Sequence, residues 1–366
     1  MVSLQQTRLN SYAKWSMLPL NNNSIFYMKQ LNSTAFSILE LAPIREQDSI
    51  QNTLQHCVAL AQYAEQLGYR RLWLAEHHNM DGIASSATSV LLAHLLNHTS
   101  HIRLGSGGIM LPNHAPLIVA EQFGTLATLF PDRVDLGLGR APGTDPITMR
   151  ALRRGRLETE DQFPQDVQEI LNYFDTPRPK QQITATPGQG THVPVWLLGS
   201  SLFSAQLAAK LGLPYAFASH FAPRLLDQAL AVYRDNFQPS QYLSAPYVAI
   251  GVPSVVAQTD EEAQFLASSA YQRILALFRG ESLKLKPPVE SMQNLWSEPE
   301  RQAVNGFYGV AQIGSVQTVR KGLQELLERT QADEFIFTCD IYDKQKRLEN
   351  FKLLMDIHRH SESSKA

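Results

Sequence analysis

Two nearby stretches constrain this chain most: WLAEHHNMDGIASSATSVLLAHLL (residues 73–96) and IRLGSGGIMLPNHAPLIVAEQFG (residues 102–124). Each reads as a buried strand that ends in Gly, His and Asn and then starts a helix. In a barrel of alternating strands and helices, such strand ends build the active site. The rhythm extends well beyond these two units. Apolar runs AFSILEL, RRLWLAE, IRLGSGGIML, RVDLGLG, VPVWLLG, PYAFAS, YVAIGVPSVVA and DEFIFTCDIYD each lead into a helical pattern. After RVDLGLG that helix is expected around 158–174. Continuous apolar strands between helices indicate a parallel sheet covered on both faces. Eight such units favour a closed (β/α)8 TIM barrel, class α/β, over an open doubly wound sheet.

The barrel domain is expected over 34–360. Residues 1–33 are rich in Asn, Gln and Ser, lack a sustained period, and read as a flexible N-terminal extension. Residues 361–366 read as a tail. Residues 281–313, with Pro287, Pro288, Trp296 and Pro299, interrupt the rhythm and read as an insertion before the last βα unit. Long loops of that kind serve either as lids or as plain surface excursions.

Composition excludes several classes. Hydrophobic residues make up 44% and charged residues 18%, as in a buried globular core. A net charge of −2 offers no footprint for nucleic acid. No apolar run is long enough to span a bilayer, and the N-terminus does not read as a signal peptide. The two cysteines, Cys57 and Cys339, read as buried free thiols, which points to a reducing, cytoplasmic compartment.

The strand ends carry the chemistry. Neighbouring strand residues point to opposite faces, so of His77 and His78 one faces the barrel mouth and the other the wall. A mouth-facing imidazole suits proton transfer near neutral pH; the competing reading is a structural, hydrogen-bonded pair. A metal site is another reading of His77, His78, His94, His98, His101 and His114 with Glu76 and Asp81. None shows the H-x-E-x-x-H type of spacing, and no metal is expected. Glu76 either tunes the mouth histidine or bonds backbone. The run GSGG (105–108) is costly inside a strand, so it marks a flat ligand lying on backbone, an unusual peptide geometry or a β-bulge. GLGRAPGTD (137–145) fails as a dinucleotide fingerprint because Pro142 stands at the third glycine position. Arg140 then reads as an anion clamp, or as the partner of Asp135 or Asp145. LLGSSLFSAQLAAK (197–210) is a strand–turn–helix junction with Gly199 at the turn and Ser200 or Ser201 as cap. Ser204 lies one turn on, so this is either an ordinary cap or a phosphate seat.

Together EHHNM-GIASSAT, GSGGIMLPNHAPLIVAEQFGTL, PDRVDLGLGRAPGTD, LLGSSLFSAQLAAKLGLPYAFASHFAP and the late ADE…IYD resemble the luciferase-like monooxygenases, over about residues 35–355. The nearest branch is the bacterial, alkanal-monooxygenase-like one. The resemblance implies a (β/α)8 barrel that binds FMN at its C-terminal mouth. It places a non-prolyl cis bond under the flavin at Gly107–Gly108 and the catalytic histidine at His77. It places the phosphate site at Arg140, Ser200, Ser201 and Ser204, with Leu198 and Gly199 beside them. Backbone donors after the arginine fall to Ala141 or Gly143, since Pro142 has no N–H. Arg153, Arg154 and Arg156 are candidates for a second phosphate arginine. The implied reaction uses reduced FMN, supplied by a separate NAD(P)H:flavin reductase, and O2. It proceeds through a C4a-peroxyflavin that oxidises a small organic, carbonyl-type substrate, with a homodimer formed through the second and third helices. The alternatives are a non-catalytic flavin-binding relative, a deazaflavin-dependent oxidoreductase on the same fold, and a metal-dependent barrel hydrolase.

Overall fold

The computed structural model describes residues 29–141, 144–153 and 162–360. Pro142, Gly143, Arg154 and Arg156, the side chain of Arg153, and the terminal segments 1–28 and 361–366 lie outside the described residues.

Nine parallel strands follow in chain order: β1 (Ala35–Glu40), β2 (Arg71–Leu74), β3 (Arg103–Met110), β4 (Val134–Gly139), β5 (Val195–Gly199), β6 (Tyr215–Phe217), β7 (Val248–Ala257), β8 (Gln312–Ser315) and β9 (Glu334–Thr338). Eight of them close a ring in the order β1-β2-β3-β4-β5-β6-β7-β9, with β9 back on β1. This is the expected (β/α)8 barrel. The ninth, β8, stands outside the ring on the far half of β7, where Gln312–Ser315 pair with Ser254–Ala257.

Eleven helices are described: α1 (Ile50–Leu67), α2 (Thr88–Asn97), α3 (Pro116–Leu129), α4 (Pro146–Arg153), α5 (Phe163–Phe174), α6 (Leu202–Leu211), α7 (Leu226–Asp235), α8 (Asp260–Arg279), α9 (Glu298–Phe307), α10 (Val316–Thr330) and α11 (Lys344–Arg359). Local chemistry sets many of their ends. The Ser49 side chain accepts from the Asn52 amide at the start of α1, and Gly68 closes it at φ 86°, a left-handed angle that costs glycine little. The helix expected around 158–174 is α5, described from Phe163 to Phe174, and α4 precedes it. Pro164 lies in the first turn of α5, where its missing N–H is an orphan in any case, so α5 starts at Phe163.

Five residues of the expected extension belong to the barrel body. Lys29 pairs with Asp333 at 2.5 Å, and Leu31 is buried against the core. Segment 281–313 is no bare loop: it contains α9 and runs into β8, and Leu283, Phe307, Tyr308 and Ile313 line the central cavity.

The main core lies between strands and helices, and a smaller apolar cluster around Trp73, Trp196 and Ile336 fills the barrel interior. Beside it, at the N-terminal ends of the strands, is a buried charged cluster. Arg71 bridges Asp135 (2.6 Å) and Glu334 (2.8 Å), and Arg103 adds a second contact to Asp135 (2.5 Å). Burial alone would raise the Asp135 carboxyl, but Arg71 and Arg103 overcome it and hold the group below the ordinary range. With this end filled by side chains, the space for a ligand lies at the other.

Candidate active site

A largely apolar cavity of about 500 Å3 lies at the C-terminal ends of the barrel strands, where barrel enzymes carry their chemistry. All ten residues singled out from the sequence line it: His77, Gly107, Gly108, Arg140, Ala141, Leu198, Gly199, Ser200, Ser201 and Ser204. They come from the ends of β2, β3, β4 and β5, consecutive around the ring, so they form one continuous arc.

The floor of the arc is β3. The Gly107–Gly108 peptide bond is cis, and the β3–β4 register shifts between Gly107 and Ile109. The peptide geometry and the bulge, two separate readings of the glycine run, thus coincide. Close packing explains why side chains are missing here. A Cβ on Gly107 would stand 2.8 Å from Leu39 Cδ1, and one on Gly108 would stand 2.5 Å from Leu198 Cδ1 and 2.7 Å from the Gly137 carbonyl oxygen.

The arc's other end is the junction of β5 and α6. Ser201 is the N-cap of α6, yet its side chain makes no capping bond. Ser200 and Ser201 line the cavity at this helix start, and free first-turn amides with the positive end of the helix dipole suit it as a seat for an anion. Ser204 is buried against Gly199. The Arg140 guanidinium stacks on the Phe203 ring, 4.2 Å from its centroid, which brings its charge to the same seat. The Asp135 alternative for Arg140 is overturned, because Asp135 is taken up at the far end of the barrel by Arg71 and Arg103. Asp145 accepts from the Ile147 and Thr148 amides at the start of α4 and from Asn79.

At the end of β2 the alternation places His77 on the cavity and Glu76 and His78 on the wall. The buried Glu76 carboxylate accepts from His78 Nε2 (2.8 Å), His114 Nε2 (2.8 Å) and the Met110 amide (3.1 Å). Burial pushes this carboxyl up, but the bonds from His114, His78 and Met110 outweigh it and hold it down at about 2. Glu76 thus bonds backbone and wall histidines, tying the end of β2 to the end of β3. These three side chains are also the group among the described residues whose ligand atoms lie close enough together to hold a metal ion. Their mutual hydrogen bonds satisfy them without one. His94 and His98 stack on each other on exposed α2, away from this cluster.

The opposite side of the cavity was not legible as a site. It holds His220, just past β6, and Arg273 on α8, which is paired with Asp340 at 2.7 Å. The position of His220 directly after the strand YAFAS was the available signal. Arg273 lies mid-helix in an amphipathic pattern and gave none.

The family model described as luciferase-like monooxygenase matches residues 34–334. A "Luciferase-like monooxygenase" of Escherichia coli (strain K12) is 51% identical over 323 residues, 88% of this chain and 96% of the relative. The chain belongs to the luciferase-like monooxygenase family. The "N-acetyl-S-alkylcysteine monooxygenase" of Bacillus subtilis (strain 168) is 33% identical over 87% of this chain and 97% of its own. The solved oxygenating constituent of 3,6-diketocamphane monooxygenase from Pseudomonas putida, in complex with FMN, superposes with TM-score 0.67. It is 16% identical over 90% of this chain and 98% of that one, so the likeness is one of fold. A luciferase-like monooxygenase is an enzyme of the oxidoreductase class. Among the described residues no helix is long and apolar enough to cross a membrane.

Proposed function

We propose that this luciferase-like protein is an FMN-dependent monooxygenase that oxidises a small, largely apolar organic substrate of carbonyl type. One observation carries the cofactor reading. The side-chain-free floor at Gly107 and Gly108 and the anion seat at Arg140 and the start of α6 lie on one apolar cavity, as a flat ring with a phosphate tail requires. Arg140 and the hydroxyls of Ser200, Ser201 and Ser204 would hold the phosphate, with the Ala141 amide beside them. Gly107, Gly108, Leu198 and Gly199 would bear the ring. Bound and reduced, FMN supplies the two electrons with which O2 delivers one oxygen atom to substrate and one to water.

The chain's own part is to bind, orient and exclude water. Apolar walls such as Leu41, Met80, Ile83 and Ile274 keep the cavity dry. His77, on the arc beside the glycine floor, holds or moves the proton. Reduced FMN comes from a separate NAD(P)H:flavin reductase. The protein works in the cytoplasm as a homodimer joined through α2 and α3. Exposed apolar side chains on these helices, Val90, Ile118 and Leu129, support that interface.

The test is binding followed by turnover. FMN quenching is expected to saturate, and the deazaflavin coenzyme is expected to bind at least tenfold more weakly. With reduced FMN and 18O2, one labelled atom should enter a carbonyl substrate from a panel, and His77→Ala should abolish this while FMN still binds. Preference for the deazaflavin, or label-free product, would overturn the reading.

A further inference from the structure

His220 lies outside the arc that fits the cofactor. In the ring of eight, β6 is four places from β2, so His220 faces His77 from the opposite side of the mouth. Its ring is wedged against β7: a Cβ at Gly251 would overlap Nδ1. That nitrogen is fully buried and has no hydrogen-bond partner. A buried, unpartnered N–H is rarer and costlier than an unpartnered lone pair, which assigns the lone pair to Nδ1 and the proton to Nε2. Nε2 lies on the ring edge open to the cavity. The surroundings keep this donor uncharged. Burial lowers the imidazole to about 4, and His77 adds to that, outweighing the opposing pull of Asp340. The neighbouring Arg273 is neutralised by Asp340, so this wall offers no unpaired cation to attract an anion. Apolar side chains of α8 and α9, Ile274, Leu277 and Phe307, line the cavity beside it.

We propose that His220 is a substrate-binding residue, its Nε2–H donating to the oxygen of a neutral, carbonyl-type substrate whose apolar remainder lies against α8 and α9. The proposal rests on reading the cavity as a monooxygenase site. It adds the substrate's charge class and the group that orients its oxygen toward the flavin arc. One neutral donor in an apolar wall is worth about five- to tenfold in affinity.

The experiment uses the full chain with oxidised FMN present and absent. 2-Octanone and octanoate are the probes, followed by calorimetry and by 15N NMR of the imidazole. The expected tautomer is Nε2–H, with the Nε2–H resonance shifting on addition of 2-octanone. His220→Leu should weaken 2-octanone about five- to tenfold and leave FMN affinity unchanged, whereas His220→Gln, which keeps an N–H near that place, should stay within about twofold of wild type. Gly251→Ala, which leaves His220 in the sequence but displaces the ring, should weaken 2-octanone like the Leu variant. With oxidised FMN filling the seat at Arg140, octanoate should bind at least tenfold more weakly than 2-octanone. An Nδ1–H tautomer, no ketone binding to the wild type, unaltered ketone binding in the Leu variant, or octanoate binding as tightly as the ketone with FMN present overturns the proposal. Failure of FMN to bind the wild type, with the ketone results as expected, sinks the cofactor reading and leaves the His220 donor standing.

Discussion

Glu76→Gln removes the knot that ties the end of β2, which carries His77, to the end of β3, which carries Gly107 and Gly108. The carboxylate uses one oxygen for His78 and His114 and the other for the Met110 amide, and it is almost wholly shielded from solvent. Glutamine offers one acceptor oxygen and turns two N–H donors toward a group that is itself a donor. At least one buried donor is orphaned, at about 2–3 kcal/mol. The wild-type charge gives an independent figure. Held at about 2 when folded, against about 4.5 for a free glutamate, the carboxylate contributes about 3 kcal/mol at neutral pH. Because the folded value is depressed, this stability is present in full above about pH 4.5 and is lost as the pH falls through 2. Urea unfolding at a series of pH values reads both figures. Glu76→Gln should be less stable by about 2–3 kcal/mol at pH 7, and the gap should narrow steadily below pH 4.5. A gap that stays constant down to pH 2.5, or one below about 0.5 kcal/mol at pH 7, would refute the reasoning.

Three further outcomes follow from the same structure. Asp135→Asn removes the carboxylate that Arg71 and Arg103 share in the buried end of the barrel, leaving Arg71 only Glu334, and should cost about 3–5 kcal/mol in chemical denaturation without altering the cavity. Arg140→Ala should weaken FMN at least tenfold by fluorescence titration while thermal stability stays within a few degrees, because its guanidinium stacks on Phe203 at the mouth rather than in the core. Val90→Asp puts a charge on the most exposed apolar side chain of α2, and sedimentation should show a shift from dimer to monomer.

The arc from β2 to β5 was legible because each of its residues sits at a strand end or helix start, where local chemistry and position coincide. Alternation put one of His77 and His78 at the mouth, capping pointed to Ser200 or Ser201, and the run 105–108 put glycines where a strand should carry side chains; the family resemblance then chose His77 and Gly107–Gly108. What periodicity could not supply was partnership. Glu76 needed His114, 38 residues on, to become the knot at the ends of β2 and β3. Arg140 lost its possible partner Asp135 to Arg71 and Arg103, both from other strands. The insertion gained a helix and a ninth strand because β7 runs on beyond the ring and offers its free edge to β8.

By itself, then, the chain determined the alternation of strand and helix, the count of eight, and which strand ends carry imidazole, glycine, guanidinium and hydroxyl. These are local properties, written in spacing and in the conformational limits of single residues. Only the closed ring decided that four of those ends form one arc, that a charged cluster fills the opposite end, and that His220 faces the arc with one nitrogen pressed onto Gly251. Such contacts join residues tens to hundreds of positions apart. Their energies depend on which groups share a buried space, and only the tertiary fold sets that.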